Sequence, residues 1–375
     1  MSPHTLFLTV GTSLLGALRR TEPPLAPEPL REALARATSP DTAVAGARAL
    51  GQLLAQGGWD ERQVGAEIAS VQAMERGGHL PGPLHEVCLA VSDTDDGRLV
   101  GAVLAAWAEA RGWRARLEVI DGLRPTEPAT FARVGLRGLV RAVGEAVRRA
   151  GGGEFVAVVA TGGFKAQVAT VAIAGQALGL TVYNLHELFP HVIAFPPMAV
   201  SFDFAPLLTH LDLVMALEEE GVAQLPEGAV PPALEPFLAH VLADQPGQAL
   251  WELAPIGQIY LEAFRHRFPP SRELPPAAQD RKPPTFRDDH FPKGFREHAH
   301  RVWETTPQLV TGHTVTFEGQ ASIRDRAFYW HDGFLVGEYR DRDGFGARMA
   351  YTTTATHEGQ RLALLAAVLD RWGRG

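Results

Sequence analysis

The chain has 375 residues, of which 46% are apolar and 21% charged, and carries a net charge of −8; this suits a globular protein of two or three domains and argues against a general nucleic-acid-coating role. Its one cysteine, Cys88, excludes an intramolecular disulfide and a cysteine-rich zinc site. No apolar run approaches the roughly 20 residues that span a bilayer, and no basic-then-apolar leader opens the sequence, so no membrane partner and a cytoplasmic location are expected.

Thr5 to Val10 (TLFLTV) reads as a buried strand, and Gly11-Thr12-Ser13 turns it into the helix-compatible run Leu14 to Arg20. Helical patterns over about 41 to 75 lead to a strand at 86 to 91 containing Cys88, read as a buried core thiol. The acidic run Ser92 to Gly97 then opens a helix through Arg111, with Asp93, Asp95 and Asp96 read as capping and first-turn charge rather than metal ligands. Arg116 to Asp121 is a strand, Phe131 to Arg149 an amphipathic helix and Glu154 to Ala160 another strand. That strand ends in Thr161-Gly162-Gly163-Phe164-Lys165 and passes into a helix, followed by a strand Thr181 to Asn184. Strands alternating with helices predict a doubly wound parallel sheet, in which both glycine turns emerge at the carboxyl edge of the strands. Backbone N–H groups at such turns, with a lysine beside them, suit phosphate.

Phe195-Pro196-Pro197 marks the exit from this first domain. Helices are expected at Leu207 to Glu220, Leu234 to Leu242 and Pro255 to Phe268, with a short strand at Ala249 to Leu253. Pro269 to Arg287 is a proline-rich linker or arm. Beyond it come a helix in FREHAHRVWETT, strands at Val310 to Phe317, Asp325 to Trp330, Phe334 to Tyr339 and Ala347 to Thr353, and a closing helix Glu358 to Trp372. From Ser271 onward there are 15 Lys and Arg against 14 Asp and Glu, leaving 20 against 29 before it, so the basic residues concentrate at the C-terminal end. Arg324, Arg326, Tyr329, His331, Arg340 and Arg348 interleave cations with aromatics, a combination that fits single-stranded RNA. Imidazole, guanidinium and phenol groups can also supply the base, charge stabilisation and acid of metal-independent RNA cleavage.

Three segments, TVGTSLL at 9–15, TGGFKAQ at 161–167 and YNLHELFPHVIAFPP at 183–197, together resemble the CARF domain of CRISPR-associated proteins. The resemblance covers about the first 200 residues. It implies a Rossmann-like sensor of type III CRISPR immunity, a homodimer that binds a cyclic oligoadenylate, expected as cyclic tetra-adenylate, across its two-fold axis. The ligand-binding residues it implies are Gly11, Thr12, Ser13, Thr161, Gly162, Gly163, Phe164, Lys165 and Gln167, with His186 and Glu187 close to the same edge. Ser13 and Lys165 match positions that promote ring cleavage in CARF ring nucleases. The segment after the sensor looks like a winged helix, and the last domain faintly resembles RelE-type mRNA interferases, which implies an RNA substrate, with ribosome-bound mRNA as one form; no residue is carried over from that family.

The expected architecture is therefore α/β: a Rossmann-like sensor at 1–204, a winged-helix-like connector at 205–268, the linker at 269–287 and a small α+β effector at 288–375. The expected function is a cyclic-oligoadenylate-activated endoribonuclease without metal or cofactor. A ring nuclease and a ligand-responsive DNA-binding regulator are the alternatives. The Arg326-to-His331 spacing of a HEPN ribonuclease lies in a strand-like context, and Asp332 with Glu338-Tyr339-Arg340 approximates a restriction-type metal site poorly.

Overall fold

The structure, a computed structural model, describes residues 3–20, 26–39, 41–60, 64–199, 202–204, 206–207, 210–225, 230–242, 249–268, 274–287, 290–316, 323 and 326–373. The chain divides into two compact units, Met1–Phe202 with Ala254–His266, and Asp203–Leu253 with Arg267–Gly375.

The first unit is a six-stranded sheet between two helical layers. Its strands are β1 (Thr5–Thr9), β2 (Glu86–Ser92), β3 (Arg114–Ile120), β4 (Val156–Val159), β5 (Thr181–Asn184) and β6 (Ile193–Phe195), in the order β3-β2-β1-β4-β5-β6. The first five run parallel and β6 is antiparallel to β5. Helices α1 (Ser13–Arg19), α2 (Glu28–Thr38), α3 (Ala43–Ala55), α4 (Gly65–Arg76), α5 (Asp95–Ala110), α6 (Leu136–Ala150) and α7 (Lys165–Ala177) connect them, with a π-helical turn at Phe131–Gly135 before α6. Alternation along the strands builds two cores: Leu6, Leu8, Val87 and Leu89 join α1 to α5, whereas Phe7, Val156 and Val158 join Leu139, Val143 and Val171. Cys88 is buried in the second core, where desolvation pushes its thiol up to about 12.

Sequence pattern did not single out α2 or the edge strand β6. A further helix of this unit, α9 in chain order (Pro255–Arg267), sets Ile259 against Val140 and Ala174, and its buried Glu262 accepts from Arg148. A Cβ on Gly144 would lie 1.9 Å from the Glu262 carboxylate, so the bare glycine lets that carboxylate lie against α6 in its present position. The expected connector at 205–268 is thus divided: its last helix groups with the first unit and the rest with the second.

The second unit begins with α8 (Leu211–Glu220) and a three-stranded antiparallel sheet of β7 (Ala223–Leu225), β8 (Leu238–Leu242) and β9 (Ala249–Leu253), ordered β7-β9-β8. The expected helix at 234–242 is a strand instead. A 3-10 turn forms at Glu235–Phe237, and the following residues pair with β9, Leu238 opposite Leu253 and His240 opposite Trp251. The last part has α10 (Phe295–Thr305), strands β10 (Leu309–Val315), β11 (Phe328–His331), β12 (Phe334–Arg340) and β13 (Gly346–Thr353), and α11 (Glu358–Trp372). These strands form an antiparallel sheet ordered β10-β13-β12-β11. Lys282 and Thr285 of the proline-rich arm bond to the free edge of β10. The chain is therefore a mixed α/β protein whose main sheet is parallel and whose smaller sheets are antiparallel.

Candidate ligand cleft at the sheet edge

In the first unit β1 lies between β2 and β4, and all three end on the same side. The turns after them line one cleft of about 740 Å³: Gly11, Thr12 and Ser13 after β1, Ser92, Thr94 and Asp95 around the end of β2, and Thr161 to Phe164 after β4. This is the crevice where an open α/β sheet reverses its strand order, the usual place for a ligand in such folds. Both predicted glycine turns thus reach one site.

The glycines are required by close approach. A Cβ on Gly11 would lie 2.5 Å from the Gly163 nitrogen, and one on Gly162 would lie 1.9 Å from Glu67 Oε1. Gly163 adopts φ of +97°, which disfavours any other residue. The two turns are also tied directly, because the Thr9 hydroxyl donates to the Gly162 carbonyl at 2.6 Å.

Several groups expected to face a ligand are committed elsewhere. The Gly11 N–H donates to Glu67 Oε1 at 2.6 Å, and the Phe164 N–H to Gln167 Oε1 at 2.5 Å. Gln167 is fully buried and caps the first turn of α7, so its side chain does not line the cleft. Thr161 Oγ1 accepts from the Leu185 N–H and the Ser70 hydroxyl, each at 2.9 Å. Ser13 Oγ accepts from the Ala66 N–H at 3.0 Å, which leaves its own proton available to donate. Among the described residues, the N–H groups of Thr12, Ser13, Gly162 and Gly163 make no internal hydrogen bond.

Lys165 is exposed and forms no ion pair among the described residues. It lines a second, adjoining depression of about 470 Å³ with Asn184 and Phe195; Thr161 and Gly163 line both. His186 and Glu187 sit on an exposed loop beyond β5 and line neither.

The acidic loop after β2 is largely neutralised. Asp96 takes a two-pronged contact from Arg19 at 2.7 and 2.9 Å, and Asp93 is held by Arg98 and Arg124. Hydrogen bonds from those guanidinium groups keep both carboxyls below the ordinary carboxylate range. Thr94, rather than an aspartate, caps α5 by accepting from the Gly97 N–H at 3.0 Å. Among the described residues, no cluster of His, Cys, Asp and Glu could hold a metal ion.

Residues 62–198 match the family model for CRISPR-associated protein (Cas_APE2256). This part of the chain is similar to CRISPR-associated proteins. The matched stretch contains the acidic loop and the whole second glycine turn, while the first turn precedes it. A search of curated proteins gave no match.

In the second unit the residues expected to cleave RNA converge only in part: Tyr329 and Arg348 meet at Glu338, away from His331 and Arg340. Arg324 lies outside the described residues. Arg326 precedes β11 in a turn with φ of +52°, so the expected strand from Asp325 starts only at Phe328. Tyr329 and His331 share one face of β11 and Phe328 and Trp330 the other, as the alternation predicts. Arg348, opposite Glu338 in register, donates to its Oε1 at 2.7 Å, and the Tyr329 hydroxyl donates to the same oxygen at 3.2 Å. Both members of this ion pair are buried. His331 stands at the tip of a hairpin whose central residues, Asp332 and Gly333, adopt φ of +47° and +82°, with the Asp332 carboxylate 3.5 Å from the ring. Arg340 donates to the Gly344 carbonyl in the opposite hairpin. In register His331 lies four residues from the level of Glu338, roughly 14 Å along the strands at about 3.4 Å per residue.

Glu67 and Ser70 were not singled out by the sequence, and Glu338 entered only as part of a restriction-type metal site, not as the partner of Arg348. The available signal was a lone carboxylate or hydroxyl inside an otherwise apolar buried face, as in GAEIASV and FLVGEY.

No helix among the described residues is long and apolar enough to cross a membrane.

Proposed function

We propose that the first unit is a sensor of cyclic oligoadenylate, cyclic tetra-adenylate in the first instance, and that the second unit is an RNA-cleaving output of CRISPR defence. One observation carries the sensor reading: two glycine turns with uncommitted N–H groups meet in one cleft at the strand-order switch, with Lys165 beside them. A phosphodiester ring presents several separated anions. Amide and ammonium donors to such oxygens are each worth about 1.5–3 kcal/mol when the charge is desolvated. In this reading Thr12, Ser13, Gly162 and Gly163 bind phosphate oxygens through their N–H groups, and Lys165 supplies countercharge from the adjoining depression.

A homodimer would repeat the site. Exposed apolar side chains, Ile173 of α7, Ile193 and Phe195 of β6, and Leu188 and Phe189 before it, suit contact with a second copy, and Phe195 lines the depression that holds Lys165. The ring then switches the protein only if it binds one arrangement of the two copies better than another.

The output reading rests on fewer residues than expected. Arg348 and the Tyr329 hydroxyl are both held by the buried Glu338 carboxylate, which suits a structural role; His331, at the exposed end of β11, remains the candidate to contact RNA, with ribosome-bound mRNA as one substrate form. A ring nuclease is the second reading, favoured by the Ser13 hydroxyl, whose proton is left available at the edge of the cleft. Incubating the purified protein with cyclic tetra- and hexa-adenylate while following both the ring and a labelled RNA tests all of this. RNA cleavage that requires the ring and is lost in His331→Ala supports the whole proposal. Ring consumption without RNA cleavage selects the second reading, and no effect on either molecule, with no ring retained, rejects both.

A further inference from the structure

Besides the direct bond from Thr9 to Gly162, the start of α4 braces both glycine turns of the cleft. Along the start of α4, the Ala66 N–H donates to Ser13, the Glu67 carboxyl accepts from Gly11, and the Ser70 hydroxyl donates to Thr161. The first turn and the second are therefore fixed relative to each other through α4. Glu67 is the tightest of these links, being 1% exposed and close enough to Gly162 to exclude a Cβ there. Among the described residues only one of its oxygens is used: Oε1 takes the Gly11 N–H, while Oε2 is buried and has no hydrogen-bond partner there.

A buried carboxylate with one unpartnered oxygen is costly, and placing an anionic ligand on the turns that it supports raises that cost further. We infer, on the footing of the sensor reading, that Glu67 is a positioning residue that sets the spacing of the two phosphate-binding turns and takes up a proton as an anionic ring binds. The proton settles on the carboxyl, held by Oε2, and leaves Oε1 free to keep its bond to Gly11. Burial already holds this carboxyl up to about 7, against the lesser opposing pull of the Gly11 N–H, so the group is poised to change state near neutrality. Among the described residues, no other charged side chain acts directly on Glu67. From the glycine turns come amides and the Ser13 and Thr161 hydroxyls; the charges on neighbouring elements are Arg19 of α1, bound to Asp96, the Asp95 carboxylate of α5 on the far wall of the cleft, and the exposed Lys165 of α7; on α4 itself, Glu75 and Arg76 lie at the far end.

The sign of the effect follows. Bound phosphate raises the carboxyl's proton affinity, so ring affinity is flat at pH values where Glu67 is already protonated and weakens, by up to tenfold per pH unit, above neutrality. The measurement is calorimetric titration of the full-length protein with cyclic tetra-adenylate at several pH values from 6 to 8.5, repeated in buffers of different ionisation enthalpy. The expected result is a buffer-dependent heat that reports net proton uptake near pH 7.5, approaching one proton per cleft, and its loss in Glu67→Gln with binding that no longer varies with pH. If Glu67→Gln does not fold, Glu67→Asp, which keeps the acid on a shorter stem, is expected to retain the uptake with a displaced midpoint. Saturable binding with buffer-independent heat overturns the role given to Glu67 and leaves the sensor reading standing. Uptake that persists undiminished in a folded Glu67→Gln overturns it as well. Absence of ring binding at every pH removes the sensor reading and this inference together.

Discussion

The two units use polar residues in opposite ways. In the first, the polar groups sit at the ends of parallel strands, so chain direction alone gathers the turns after β1, β2 and β4 into one cleft. In the second, they are strung along antiparallel strands, and the register that pairs Glu338 with Arg348 also sets His331 and Arg340 at opposite hairpins. Residue types suited to a chemistry converge in a parallel sheet because their turns share one edge; in an antiparallel sheet, register decides which of them meet. The Glu338 and Arg348 pair shows the outcome, a cation that the sequence offers to substrate but the fold binds to its own carboxylate.

Substitutions can break this contrast. The largest effect is expected from Glu338→Ala, which removes the buried carboxylate that Arg348 donates to and should cost roughly 3–5 kcal/mol in denaturant unfolding. Replacing both partners by apolar residues of similar size should recover most of the loss. If Glu338→Ala is instead well tolerated, Arg348 is available to a substrate and the second unit's sheet deserves the catalytic reading given it from sequence.

Glu67 gives the counterpart in the first unit. Its folded-state value is raised to about 7 from 4.5, so the stability contribution is complete below about 4.5 and is lost as the pH rises through 7. A shift of this size corresponds to about 3 kcal/mol. Wild-type stability should therefore fall across that window, and Glu67→Gln should flatten the profile. Gly162→Ala is expected to cost about 1–3 kcal/mol and to abolish ring binding, since the added carbon meets Glu67 and Gly11. Gly16→Ala, in α1 with nothing within 4 Å, should instead stabilise by roughly 0.5–1 kcal/mol. The smallest effect, under about 1 kcal/mol, is expected for Arg19→Ala, because its pair with Asp96 is half exposed.

Much of this was legible before the fold was known. Strands β1, β2 and β5 announce themselves as short β-branched or apolar runs, and both glycine turns follow from Gly11 and Gly162-Gly163 at strand ends. Long-range pairing was not legible. Leu234 to Leu242 has apolar residues at helical spacing, yet pairing with the partner strand β9 makes Leu238 to Leu242 extended. Gln167 sits one turn into α7, where a side chain can point to a ligand or fold back to the Phe164 N–H; only the structure distinguishes these. The spread of Arg340, Arg348 and His331 likewise depends on register, which no local pattern encodes.

The central claim is that the edge of the parallel sheet grips a cyclic polyanion with loop amides and Lys165. Equilibrium dialysis of the full-length protein against labelled cyclic tetra-adenylate tests it most directly. The account predicts saturable retention of one ring per two chains, weakened at least tenfold by Lys165→Ala while the thermal stability of that variant stays unchanged. Retention no greater than that of a linear tetra-adenylate control, or equal retention by Lys165→Ala, would contradict it.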